Sequence, residues 1–175
     1  MEKGKMIPVG DKELLFTEID ETNSAEVLEL FQACSAFFEL IGGEVPSETD
    51  DYFKDLPPGK TYDEKHLIGV FDDKKLFAAI DIVEDYPKDK EWIIGLLVIH
   101  PDYRRMGLGS KIDEVLGEIV LENRGKFLRV GVQEQNQDAL KFWFSQGYEE
   151  KFTSEPMLIG KLESRIVVMN RKINA

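Results

Sequence analysis

The chain carries a single cysteine, Cys34, so neither an internal disulfide nor a multi-cysteine zinc site can be built from it. Its two histidines, His66 and His100, are far apart in sequence, and no metal site is expected. Basic residues are in the minority. Against 22 Lys and Arg stand 34 Asp and Glu, a formal net charge of −12. That sign is wrong for a phosphate backbone and excludes DNA or RNA as the main partner. No apolar run is long enough to span a bilayer, and MEKGKMIPVG lacks the apolar stretch of a secretion signal. The expectation is a cytoplasmic protein without a membrane partner. Internal repeats and low-complexity linkers are missing too. What is present is 175 residues, 42% hydrophobic and 32% charged, enough for one sizeable core and too few for two comfortable domains. Residues 1–10 read as a frayed or tag-like N-terminus and residues 11–175 as one domain.

Hydrophobic patterning places the elements. LLFTEID (14–20) reads as a first strand. A helix capped by Thr22 or Ser24 follows, with Val27, Leu28, Leu30, Phe31, Phe37 and Phe38 at helical spacing up to Gly42-Gly43. A short acidic helix is expected near SETDDYFKDL, before the break at Leu56-Pro57-Pro58-Gly59. Residues 67–71 and 75–83 form a hairpin turning at Asp72-Asp73. WIIGLLVIH (92–100) is apolar throughout, as in a strand buried on both faces. The helix from Ser110 to Glu122 aligns Ile112, Val115, Leu116, Ile119 and Val120, and Gly125 stops it. FLRVGV (127–132) is a strand, Asn136 opens a helix to Gln146, and MLIGKL and RIVVMNRKI supply two closing strands. This order makes a mixed α/β sheet with helices on both faces.

The richest segment is VIHPDYRRMGLGSKIDEVL, residues 98–116. An apolar strand meets Pro101, a loop carries Arg104, Arg105, Gly107 and Gly109, and a helix follows at once. The first N–H groups of a helix lack internal partners and lie at the positive end of its dipole. Glycines let the backbone curl round a phosphate held at that terminus. The segment therefore reads as a site for a phosphorylated small molecule. Solvated arginines and a plain tight turn are the bland alternatives. The loop has neither a Walker Gly-Lys-Ser/Thr nor the first glycine of a dinucleotide fingerprint.

With Arg104, Gly107 and Gly109 matching Arg/Gln-x-x-Gly-x-Gly/Ala, the chain resembles the GCN5-related N-acetyltransferase (GNAT) family. Asn136-x-x-Ala139, on a helix ending in Gly147-Tyr148, resembles the family's second motif. The resemblance covers residues 66–150 in detail. It implies a mostly antiparallel sheet of about six or seven strands, the fourth (92–99) and fifth (127–133) splayed to admit acetyl-CoA. It further implies that backbone at Leu97, Val98 and Ile99 pairs with the pantetheine arm and offers an N–H to the thioester oxygen. The backbone of Arg104, Arg105, Met106, Gly107, Leu108 and Gly109, with Ser110 and Lys111, would cradle the pyrophosphate. Asn136 would bind pantetheine or simply cap its helix. No metal is implied.

Trp143 stands where many members of that family place an acidic tyrosine. An indole N–H cannot deliver a proton at physiological pH, so Trp143 either lines the pantetheine channel or belongs to the core. The strand position where some members carry a glutamate falls near Ile93. Two other carboxylates compete for the role of base: Asp81, between Ile80 and Ile82 in a strand, and Glu84 beyond it. An apolar cleft would raise either pKa and suit it to take a proton from an ammonium. The region holding Phe37, Phe38, Glu39, Glu44, Glu48, Asp50, Asp51, Tyr52 and Asp55 would shape the acceptor pocket and attract a cationic amine, or be a solvated acidic surface. The implied reaction is acetyl transfer to a primary amine, of a small molecule or a protein, by direct attack. A non-catalytic acyl-CoA-binding module is the alternative. The exposed final strands could also pair edge to edge in a homodimer.

Overall fold

The computed structural model describes residues 4–174. One eight-stranded sheet organises the chain. Strands β1 (Lys5–Val9), β2 (Lys12–Glu18), β3 (Lys65–Asp72), β4 (Lys75–Val83) and β5 (Glu91–Ile99) lie side by side in chain order, each antiparallel to the next. Strand β6 (Phe127–Gln133) runs parallel to β5, and β10 (Ile166–Lys172) and β7 (Glu149–Thr153) complete the order. The sheet is thus mixed and mostly antiparallel, one strand larger than expected.

Both faces are covered. Helices α4 (Leu108–Glu122) and α5 (Gln137–Ser145) pack on one side, where Ile112, Val115, Leu116 and Val120 of α4 meet Ile80, Ile82, Trp92 and Val130 of the sheet. Helices α1 (Ser24–Ala33), α2 (Ser35–Gly42) and α3 (Asp50–Lys54) cover the other, with Val27, Phe31, Phe38 and Tyr52 against Ala79 and Val98. No helix among the described residues is long and apolar enough to cross a membrane.

Several expectations need correction. Residues 5–9 are not frayed: they form β1, whose Ile7 is buried opposite Leu14. Gly10, at φ +59°, makes the turn, and Pro8 is tolerated because β1 is an edge strand. Residues 1–3 lie outside the described residues. The first helix breaks at Cys34 into α1 and α2, which brings the rings of Phe31 and Phe38 within 4.8 Å. MLIGKL folds as a separate small hairpin, β8 (Met157–Ile159) with β9 (Leu162–Ser164), and the second closing strand beside β10 is β7. Segment 92–99 is not buried on both faces throughout, because Gly95 is exposed and Leu96 and Leu97 are only half-buried.

Candidate functional site

The exposure of β5 has a simple cause. Its parallel ladder with β6 runs from Glu91↔Phe127 to Ile94↔Val130 and stops. The next residue, Gly95, is bulged: β4 pairs Asp81 with Leu96 and Ile82 with Ile94, leaving Gly95 without a counterpart. Such a bulge bends a strand and re-aims it. From here β5 stays with β4 while β6 stays with β10, and a wedge opens between β5 and β6. These are the two strands expected to splay, numbered one higher because of β1.

The wedge exposes a strand edge with defined polarity. His100 N–H donates to Phe77 O at 2.7 Å, which sets the alternation of the β4–β5 ladder. In that alternation Val98 exchanges hydrogen bonds with Ala79, while the N–H and C=O of Leu97 and Ile99 point away from β4. Of the three expected edge residues, Leu97 and Ile99 therefore present their backbone to the wedge. Val98 instead sends a buried side chain into the core beneath α1. The Ile99 carbonyl already accepts from Arg104 Nε at 2.8 Å and from the Cys34 thiol at 3.5 Å. Burial pushes the Cys34 thiol above its ordinary range, with the nearby Arg104 charge opposing.

At the upper end of β5 the chain makes a short 3-10 turn, Pro101–Tyr103, and then passes through two residues at positive φ, Arg105 at +59° and Gly107 at +76°. Gly107 is the N-cap of α4, and a side chain there would meet nothing within 4 Å. Its need is conformational, and the space above it is open. Leu108, Gly109 and Ser110 supply the first N–H groups of α4; Lys111 N–H is the first to be satisfied, by Gly107 O. Arg105, Met106 and Ser110 are exposed at this opening, and Lys111 pairs with Glu114. Gly109 has a different reason to be glycine: a Cβ would lie 3.0 Å from the Phe142 ring and 3.6 Å from Ile99 Cδ1, so it lets α4 approach α5 and β5. Tyr103 ties the loop down, stacking on Phe77 at 4.4 Å and donating to Asp72.

Asn136 is buried and caps α5, its Oδ1 accepting from Ala139 N–H at 3.2 Å. Trp143 lies in the core, one of its two expected places. Its ring is buried between Phe142 and Tyr148, at 4.9 Å from each. Tyr148 is no substitute acid. Its hydroxyl donates to Asp113 at 2.7 Å, and burial beside that carboxylate pushes it far above the ordinary phenol range.

The two candidate carboxylates part company. Glu84 accepts from His66 Nε2 at 2.6 Å on the β3 side of the sheet, away from the wedge, so the structure does not bring it to the site. Asp81 lies at the bulge itself. A Cβ built on Gly95 would stand 3.3 Å from Asp81 Oδ2, so glycine at 95 leaves room beside a carboxylate whose side chain is 17% exposed. Oδ2 accepts from Lys65 Nζ at 3.1 Å, and Oδ1 is buried with no partner among the described residues. Burial raises the Asp81 pKa, the Lys65 charge and hydrogen bond pull it back, and the Asp55 charge adds to the rise. Two members of the acidic acceptor region are neutralised, Glu44 by Lys161 and Asp50 by Lys54. Beyond Lys65 a recess of about 560 Å³, lined by Ile19, Phe53, Tyr62, His66 and Leu67 among others, opens over β2 and β3. It shares no residue with the loop. No group of His, Cys, Asp and Glu among the described residues is arranged to hold a metal ion.

Sequence reasoning missed the bulge and Lys65. Gly95 inside an apolar run is the signal that pointed to the first; nothing local marks the second.

Residues 25–148 match the model of the Acetyltransferase (GNAT) family. No curated protein matches the chain in sequence. Among solved structures, an acetyltransferase from Thermus thermophilus superposes with a TM-score of 0.74 at 19% identity, over 91% of this chain and 96% of its own. A probable acetyltransferase from Chromobacterium violaceum gives 0.76 at 14% identity, over 97% and 89%. The ribosomal-protein-S18-alanine N-acetyltransferase from Escherichia coli gives 0.69 at 15% identity, over 93% and 95%.

Proposed function

The chain belongs to the GNAT acetyltransferase family, and on that premise we propose that it transfers the acetyl group of acetyl-CoA to a primary amine by direct attack in a ternary complex, with Asp81 as general base. The observation that carries this reading is the coincidence, at one bulge, of a strand edge released from β6 and a mostly buried carboxylate beside a glycine. Acetyl-CoA when bound would supply an acetyl thioester. The residues fit such a molecule. An extended amide-bearing arm needs a strand edge, which Leu97 and Ile99 offer, and a pyrophosphate needs a helix N-terminus with open space, which Gly107 to Ser110 offer. Residues Arg104 to Lys111 would hold the phosphates, while Leu97 N–H is the donor available to an acyl oxygen gaining negative charge.

Asp81 takes the proton from the acceptor ammonium. Its Oδ2 lies at the Gly95 bulge, and burial raises its pKa above the ordinary carboxylate value, which makes it a stronger base than a solvated aspartate. With Trp143 and Tyr148 both in the core, the C–S bond breaks without a protein acid, and the second proton that the nitrogen sheds as the amide forms passes through water to the departing thiolate. The acceptor is a small molecule or a protein amine; the Escherichia coli neighbour acts on a protein alanine. Residual acidity around Glu48, Asp51 and Asp55 favours a cationic one.

The test is calorimetric titration of the protein and of Gly107→Trp with acetyl-CoA, followed by an amine screen read as thiol release. Micromolar binding that the variant loses, with turnover of at least one amine, supports the transferase. Binding without turnover across small amines and peptide N-termini favours an acyl-CoA-binding module. No binding by the native protein overturns both.

A further inference from the structure

Lys65 is an unusual lysine. Its side chain is only 2% exposed, although it starts a strand near the surface. The ammonium donates to the Asp55 carbonyl at 2.6 Å, just beyond α3, and to Asp81 Oδ2 at 3.1 Å. A buried ammonium must be paired and hydrogen-bonded to be tolerated. Here the pairing runs across two strands and a helix end, and it terminates on the carboxylate that faces the Gly95 bulge. We infer that Lys65 is the positioning residue for Asp81: anchored by the Asp55 carbonyl, it holds Oδ2 at the bulge and places its ammonium charge beside that oxygen.

The groups facing Asp81 are few. Lys65 comes from β3 and Asp55 follows α3. Tyr52 of α3 lies alongside, its hydroxyl donating to Ile80 O at 3.0 Å. Tyr52 is itself pushed well above the phenol range by burial and by the Asp81 charge, so it stays neutral. Asp55 and burial both favour protonated Asp81, and Lys65 alone among these groups favours the carboxylate. The lysine thus opposes burial and Asp55 and favours the ionised form that a base needs. Oδ1 is buried, so Oδ2, shared between Lys65 and the Gly95 bulge, is the oxygen that meets the acceptor. This deepens the base assignment and rests on it.

The experiment is a carboxyl NMR titration of the full chain and of Lys65→Met, the Asp81 resonance being identified by its loss in Asp81→Asn. Removing an opposite charge at this distance is expected to move the Asp81 midpoint upward by about 1–3 pH units. Lys54→Met, which removes a surface lysine of α3, is expected to leave it in place. If Lys65→Met fails to fold, Lys65→Gln removes the charge while keeping donors for both partners and carries the same test. An unchanged midpoint overturns the inference. Once an acceptor is in hand, the acid limb of kcat/KM shifts with the midpoint, and Lys65→Arg restores it. If Asp81→Asn retains full turnover, the base assignment fails even where the midpoint still shifts, so the two failures are distinguishable.

Discussion

At the scale of residues, one missing side chain decides whether the carboxylate of Asp81 can be reached. Gly95→Ala places a methyl 3.3 Å from Oδ2, at the bulge where β5 leaves β6. A displaced reacting pair can lose about 100-fold in rate, so this variant is expected to lose up to that in kcat/KM for the amine while binding acetyl-CoA as before in calorimetry. Asp81→Asn removes the proposed proton acceptor and is expected to cost about 10²–10⁴ in kcat. Its pH dependence has a fixed sign. Because the folded pKa lies above the ordinary carboxylate value, the active form is lost on acidification through that raised value, and the native rate climbs with pH there. The aspartate-to-asparagine variant retains no such limb.

At the scale of elements, the helix pair α4 and α5 shows how one glycine can be needed for reasons the motif does not announce. Gly107 is a conformational requirement and Gly109 a packing one. Gly109→Ala would press a methyl to within 3.0 Å of Phe142 Cε2, an overpacking expected to cost about 1–3 kcal/mol. Thermal melting checks this, and Phe142→Leu in the same chain is expected to return most of the loss. The elements legible in the sequence are those with local signals. The strand–loop–glycine–helix order of 98–116 and the Asn136 cap both fall within a residue or two of their expected places, because caps and stripes are written in short windows. Strand β1 escapes the pattern reading although Gly10-Asp11 separates two strand-like runs. The split of the closing region into β7, the β8–β9 hairpin and β10 depends on which strand finds which edge, a long-range matter. The bulge, the Lys65 pairing and the burial of Trp143 are of the same kind: register and cross-strand neighbours exist only once the sheet has closed.

At the scale of the molecule, the sheet is two antiparallel ladders, β1 to β5 and β6-β10-β7, joined over four residue pairs. A coenzyme arm seated on the β5 edge is expected to change amide exchange unevenly. Leu97 and Ile99 should slow on addition of acetyl-CoA, whereas Val98, already bonded to Ala79, should not. Residue-resolved exchange by NMR measures this, and equal protection of all three would contradict the assigned edge. Ligand at about 100 times its Kd should also add about 2.7 kcal/mol to stability.

The same division carries a consequence for the backbone. Every strand of the first ladder lies before His100 and every strand of the second after Lys126, so no strand crosses over. The exposed Arg104-Arg105-Met106 run is the covalent joint between them. Limited trypsin should nick there and yield two contiguous fragments, each with a whole ladder. Helix α4, wedged against both, would hold the pieces together as a split protein, and a phosphate ligand gripping the joint would shield it from the cut.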